Sequence, residues 1–217
     1  MTFNDGSEAI GKPLSGENFS IRVGISGTLA SRESAAYRVS ETLGFDRVPP
    51  TVVRNTPQGR GSVQRWITAA KSLDHDQYPR VQQEEMAVLD YVIGNTDRHK
   101  GNYLTDVNGS IIAIDHGYSF PEFPDRRFGI RSDFAERNVR VPLSPEIMNK
   151  VRAVDVRHFR IMLEDVGLSD IAIDGAIARL EEIRRRGMIT GEAWPGLITG
   201  AYAYPPTQPM TSFGTIH

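Results

Sequence analysis

Cysteine is absent from the 217 residues. That excludes a disulfide scaffold, a thiolate zinc site and a thiol nucleophile, and it sets the expectation of a reducing, cytoplasmic location. Lysine is nearly absent: of 25 basic residues, only Lys12, Lys71, Lys100 and Lys150 are lysines and the other 21 are arginines. No apolar run reaches the roughly 18 residues of a membrane-spanning helix and no signal-peptide pattern is present, so a soluble chain without a transmembrane segment is expected. Neither charge sign dominates. The 25 basic residues face 27 acidic ones for a formal charge of −2, which gives no global attraction to nucleic acid or to an anionic membrane. With 39% hydrophobic residues, the chain has enough apolar material for one compact domain or two small lobes.

The first stretch reads as short extended pieces about an Asn4-Asp5-Gly6 turn, with Ser7 to Lys12 halted by Pro13. Ala35, Ala36, Val39 and Leu43 repeat at helical spacing from Ser31 onward, and Gly44 is the expected stop. Val48 to Val53 reads as an edge strand because its two prolines cannot donate to a ladder. A turn at Pro57 to Gly61 then leads to a second strand, Ser62 to Ile67. The polar stretch from Ala69 to Pro79 reads as a linker between a small first lobe, residues 1–68, and a larger second one, residues 69–187. Val81 to Ile93 is apolar on most of its surface near its end, the mark of a buried helix. Asn108-Gly109 joins Tyr103-Leu104 to Ile111–Ile114 as a hairpin. Helices are expected at Ser144–Val154, Asp155–Val166 and Ser169–Arg186, followed by a Pro- and Gly-rich tail, residues 188–217.

The chemistry concentrates in Gly94-Asn95-Thr96-Asp97-Arg98-His99-Lys100-Gly101-Asn102 and in Ile114-Asp115-His116-Gly117. A kinase-type catalytic loop places an Asp that accepts the substrate hydroxyl proton five residues ahead of an Asn that binds Mg2+, and a second metal-binding Asp follows in an Asp-x-Gly turn. Asp97 to Asn102 has that spacing. The hairpin brings Asn102, at the start of one strand, beside Asp115, at the end of the other, and two hard oxygen donors there suit Mg2+, which completes its shell with phosphate oxygens and water. Asp, Asn and Gly also dominate ordinary turns, so it is the joint pattern that carries the signal. His99 and His116 lie inside the motif, placed either to touch phosphate or orient a catalytic group, or simply to cap a loop.

Phosphoryl transfer of this kind also needs a cation on the nucleotide phosphates, held by a helix glutamate. Upstream of the first helix Lys12 is the only lysine. Glu33 lies at the border of that helix's buried face, where it either points inward or sits exposed as a first-turn acid.

Asn95-Thr96-Asp97-Arg98-His99 through Asn102, with Ala113 to Pro121, resembles the phosphatidylinositol 3-/4-kinase-like superfamily. Gly11-Lys12-Pro13, Gly27 to Ala30, Arg32-Glu33, Ala35 to Ser40, Val48 to Val52 and Gly61 to Ile67 resemble its small actinobacterial members more closely. The resemblance implies an α+β, two-lobed atypical kinase fold with a mostly helical C-lobe, using ATP and Mg2+ as cofactors. It implies Lys12 and Glu33 as the nucleotide ion pair, Gln64, Trp66 and Ile67 in the hinge that meets adenine, Asp97 as catalytic base, and Asn102 and Asp115 as metal ligands. Relatives of this kind carry further strands and a phosphate-covering loop before the lysine, whereas eleven residues precede Lys12 here, so a truncated N-lobe is expected.

Between Ser119 and Arg140, five arginines (Arg126, Arg127, Arg131, Arg137, Arg140) interleave with Glu122, Asp125, Asp133 and Glu136. This is unlike the cluster of about four to eight basic residues that binds an inositide headgroup. The expectation is therefore phosphate transfer to a protein hydroxyl rather than a lipid. The alternatives are a kinase-fold binding module without turnover and nucleotidyl transfer with the same ligands.

Overall fold

The computed structural model describes residues 1–2, 5–17, 25, 27–122 and 129–192. Its first sheet is antiparallel with strand order β1-β3-β2, formed by β1 (Ala9–Pro13), β2 (Thr51–Thr56) and β3 (Gly59–Arg65). Lys12 pairs with Ser62 and Ile10 with Gln64, so these four side chains share one face. Gly61 is required by the close approach of β1, since a Cβ there would lie 2.2 Å from the Lys12 carbonyl oxygen. Helix α1 (Leu29–Thr42) packs on this sheet. The Thr28 side chain caps its start by accepting from Ser31 N–H at 3.1 Å, and Gly44, at φ +64°, follows its end.

The second sheet joins β4 (Ala69–Lys71), β5 (Tyr103–Asp106) and β6 (Ile111–Ala113) in that order, all antiparallel. Helix α2 (Arg80–Ile93) runs through the core, with Met86 to Leu89 and Tyr91 to Ile93 fully buried. Around it lie α3 (Asp133–Arg137), α4 (Pro145–Ala153), α5 (Val156–Asp165) and α6 (Asp170–Arg186). Helix α2 stops at Gly94, which has φ +63°, and a Cβ there would come within 2.8 Å of Pro121 Cδ and 2.9 Å of Arg179 Nη2. Glycine is thus demanded twice, by conformation and by packing.

Several expectations change in detail. β2 starts at Thr51 rather than Val48, so the two prolines form its lead-in, where their missing N–H costs no ladder bond and Pro50 O accepts from Arg65 N–H at 2.9 Å. β3 starts earlier, at Gly59, because the turn consists only of Pro57 and Gln58. The stretch read as an irregular linker contains β4, which pairs Ala69 with Asp106 and Lys71 with Leu104. Three residues are too few to show alternation. The five-residue α3 was not foreseen for the same reason, although Ser132 caps it. Phe120 and Phe134 are core residues, whereas Phe123, Phe128, Arg126 and Arg127 lie outside the described residues. Of the tail, Met188 and Ile189 form bridges to Pro142 and Val139, and the stretch beyond 192 lies outside the described residues.

Candidate active site

The two sheets and α1 bring distant segments to one place. Lys12 Nζ lies 2.7 Å from Glu33 Oε1 and 3.0 Å from Asp115 Oδ1, 21 and 103 residues away in sequence. Glu33 points inward: its side chain is 4% exposed, and Oε2 also accepts from the His116 backbone N–H at 3.0 Å. Burial opposes ionisation of Glu33, but the neighbouring His116 and the Lys12 ammonium outweigh it and hold its pKa at about 2. For Lys12, burial works against the charge and is likewise outweighed, by Glu33 and Asp115, so its pKa is raised. Burial pushes the His116 imidazole the other way, towards the neutral form. Its Nδ1 lies 3.7 Å from Glu33 Oε2, beyond hydrogen-bond length.

Asp97 and Asn102 stand together on the loop that leads into β5. Asn95 Oδ1 accepts from the Asp97 N–H at 2.9 Å, a local turn that fixes the loop. Asn102 Nδ2 donates to Asp97 O at 2.7 Å, which turns Oδ1 the other way and leaves it available as a ligand. Asp115 occupies the left-handed region at φ +59°, a conformation uncommon for a non-glycine residue and one that clusters at functional sites. Its side chain is 55% exposed and that of Asp97 42%, so both carboxylates are accessible. His99 Nδ1 accepts from Gly101 N–H at 3.0 Å, and Nε2 lies 3.9 Å from Asp97 Oδ2. An amide oxygen and a carboxylate make a hard donor set with room for phosphate oxygens, which fits Mg2+. Among the described residues no cluster of three or more His, Cys, Asp or Glu could hold a metal by itself.

The remaining sequence-derived site residues are placed less centrally. Gln64 is buried with its amide donating to Thr51 Oγ1 at 2.8 Å. Trp66 is 53% exposed and follows the end of β3, with Ile67 beside it. A cavity of about 520 Å³ is lined by Ile10, Lys12, Ser62 and Trp66, among others. Gln64, Ile67, Glu33 and the catalytic-loop residues do not line it, so the cavity adjoins the polar centre through Lys12 rather than containing it.

Two arginines escaped functional assignment from sequence. Arg32, 1% exposed, donates Nη1 to Ser119 O at 2.7 Å and to Phe120 O, and its Nη2 lies 3.4 Å from Glu122 Oε1. Glu122 also accepts from Ser169 Oγ, the cap of α6, at 2.7 Å. Arg98 is buried against Asp90. Both arginines sat in quoted motifs, but their partners lie up to 90 residues away, and nothing local signals them.

A family model described as phosphatidylinositol 3- and 4-kinase matches residues 3–166. The chain belongs to that family. It is 30% identical to Protein Rv2133c of Mycobacterium tuberculosis, a match covering 49% of this chain and 51% of that protein. It is 33% identical to phosphatidylinositol 4-kinase gamma 4 of Oryza sativa subsp. japonica, over 54% of this chain and 25% of that protein. The chain therefore spans about half the length of the first relative and a quarter of the second. Among solved structures, hydra Fam20 with sugar matches with a TM-score of 0.54 at 15% identity, covering 83% of this chain and 77% of that one. The Golgi casein kinase with Mn/ADP bound matches with a TM-score of 0.52 at 17% identity, covering 88% and 69%. Likeness at these identities is one of fold, and the fold is the α+β atypical kinase fold expected from the motifs. The family is one of phosphotransferases. Among the described residues no helix is long and apolar enough to cross a membrane.

Proposed function

We propose that the protein is an ATP- and Mg2+-dependent phosphotransferase acting on a hydroxyl, of a protein rather than a lipid. The observation that carries this reading is the Lys12 ammonium held between Glu33 and Asp115, which unites a cation, its helix glutamate and the Asp-x-Gly turn. Lys12 neutralises nucleotide phosphate charge. Asp97 accepts the proton that the attacking hydroxyl loses. His99 Nδ1 is engaged by Gly101 N–H, so in the neutral ring Nε2 carries the proton and would be the donor to a phosphate oxygen. Asn102 and Asp115 would hold Mg2+, which supplies further neutralisation of phosphate oxygens. The exposed Ile10 and Trp66, which line the cavity beside Lys12, offer an apolar face to the base. The interleaved charges between Ser119 and Arg140 favour a protein acceptor over an inositide.

The second reading is nucleotide binding without turnover at the same residues.

A thermal-shift titration with Mg·ATP on wild type and Asp115→Ala, followed by a γ-phosphate transfer assay, tests the proposal. A ligand at a hundredfold excess over Kd stabilises by about 2.7 kcal/mol, and that shift should vanish in the variant. No shift at millimolar nucleotide sinks the proposal, a shift without transfer supports the second reading, and a shift that survives Asp115→Ala rejects the metal ligands.

A further inference from the structure

The ladder between β5 and β6 ends at Tyr103 opposite Ala113. One residue further out stand Asn102 and Ile114, joined by a single bond from Ile114 N–H to Asn102 O at 3.1 Å. Strand ends held by one bond fray, yet both ligands in the proposed metal site hang from this end, Asn102 directly and Asp115 as the next residue. Arg98 closes it. Its Nη1 donates to Asn102 O and, at 2.8 Å, to Ile114 O, supplying the rung that the ladder lacks.

The guanidinium is itself immobilised. Arg98 and Asp90 side chains are both 0% exposed, with Nε 3.1 Å from each Asp90 oxygen and Nη2 3.0 Å from Oδ1. Asp90 sits on the rigid α2 and also accepts from Ser132 Oγ at 2.7 Å and from Asn95 Nδ2 at 3.1 Å. Asn95 in turn receives the Asp97 N–H. A single planar fork thus links the backbones of Asn102 and Ile114 to the anchor that also sets Asp97. Neutralising Asp90 would need only the Nε and Nη2 side of that fork. The third nitrogen is spent on the strand ends.

We propose that Arg98 is a positioning residue that fixes the separation of Asn102 and Asp115 and thereby the affinity of the site for a divalent cation. This rests on the phosphotransferase reading, in which those two residues hold Mg2+. Its contribution can be separated from simple stability. Arg98→Met alone strands a buried carboxylate and is expected to destabilise the fold strongly, whereas Arg98→Met with Asp90→Asn removes both charges together.

The test is Mn2+ binding in the presence of ADP, followed by electron paramagnetic resonance, alongside the melting temperature of the full chain. The double variant should melt closer to wild type than Arg98→Met does, yet bind Mn2+ about 10–100-fold more weakly, the usual cost of losing an outer-shell partner. Arg98→Lys keeps the charge beside Asp90, but one ammonium cannot span Asp90 and both carbonyls. It should show the same loss of Mn2+ affinity and covers the case in which the double variant does not fold. Wild-type Mn2+ affinity in Arg98→Lys, or in a folded double variant, overturns the inference while leaving the phosphotransferase reading intact. Absence of Mn2+ binding by the wild-type protein with ADP overturns both.

Discussion

Replacing Glu33 by Gln should flatten part of the protein's acid sensitivity. Glu33 titrates at about 2 in the folded chain against an ordinary glutamate value of 4.5, so between those values the unfolded chain binds more protons than the folded one and stability rises with pH. A difference of about 2.5 units corresponds to roughly 3 kcal/mol, at about 1.36 kcal/mol per unit. All of it is present at pH 7 and is lost as pH falls from about 4.5 through 2. The side chain is 4% exposed, so solvent screening takes little from this figure. At pH 3 about 2 kcal/mol of it has gone by the same linkage. Gln keeps a single acceptor oxygen, for Lys12 Nζ or for the His116 N–H but not for both, and cannot titrate. Urea unfolding of both proteins at pH 7 and pH 3 isolates the effect, because the other carboxylates titrate alike in each and cancel. The loss of unfolding free energy on acidification should be smaller in Glu33→Gln by about 2 kcal/mol. Equal losses in the two proteins would show that Glu33 is not held by Lys12 and His116 as described.

Lys12→Met should abolish nucleotide-induced stabilisation in a thermal-shift assay and also lower the melting temperature of the free protein, since it leaves the Glu33 carboxylate, 4% exposed, without its ammonium. Arg32→Met removes the buried guanidinium that serves Glu122 and the Ser119 and Phe120 carbonyls, and denaturant unfolding should register a loss of about 3–5 kcal/mol. Gly94→Ala combines a left-handed backbone with a Cβ 2.8 Å from Pro121 Cδ. It should cost more than the roughly 1 kcal/mol of a left-handed alanine alone, measured by the same unfolding experiment.

What could be read from the sequence was what repeats or sits at short fixed spacing. The helical periods at Ala35, Ala36 and Val39 and at Val88, Leu89 and Val92 marked the two helices nearest the site. The five-residue step from Asp97 to Asn102 and the Asn108-Gly109 turn marked the loop and hairpin that carry these candidate residues. The supports of that loop could not be read. Asp90 looks like one polar residue on an apolar helix until Ser132, 42 residues later, and Arg98 are folded onto it. Arg32 has the look of a surface arginine in a first turn until the chain returns 87 residues on. β4 exists only because β5 offers it an edge. Long-range partners of single buried charges leave no period, and short strands are specified by what they pair with.

Arg32 and Glu33 are consecutive on α1 but grip different stations of the chain: Arg32 the carbonyls of Ser119 and Phe120, Glu33 the amide of His116 together with Lys12. Neighbouring helical residues project about 100° apart around the axis. A roll of α1 that shortened one grip would lengthen the other. The helix therefore has one azimuth at which both are made, and a one-residue slip of its register would swing both charges off their partners at once.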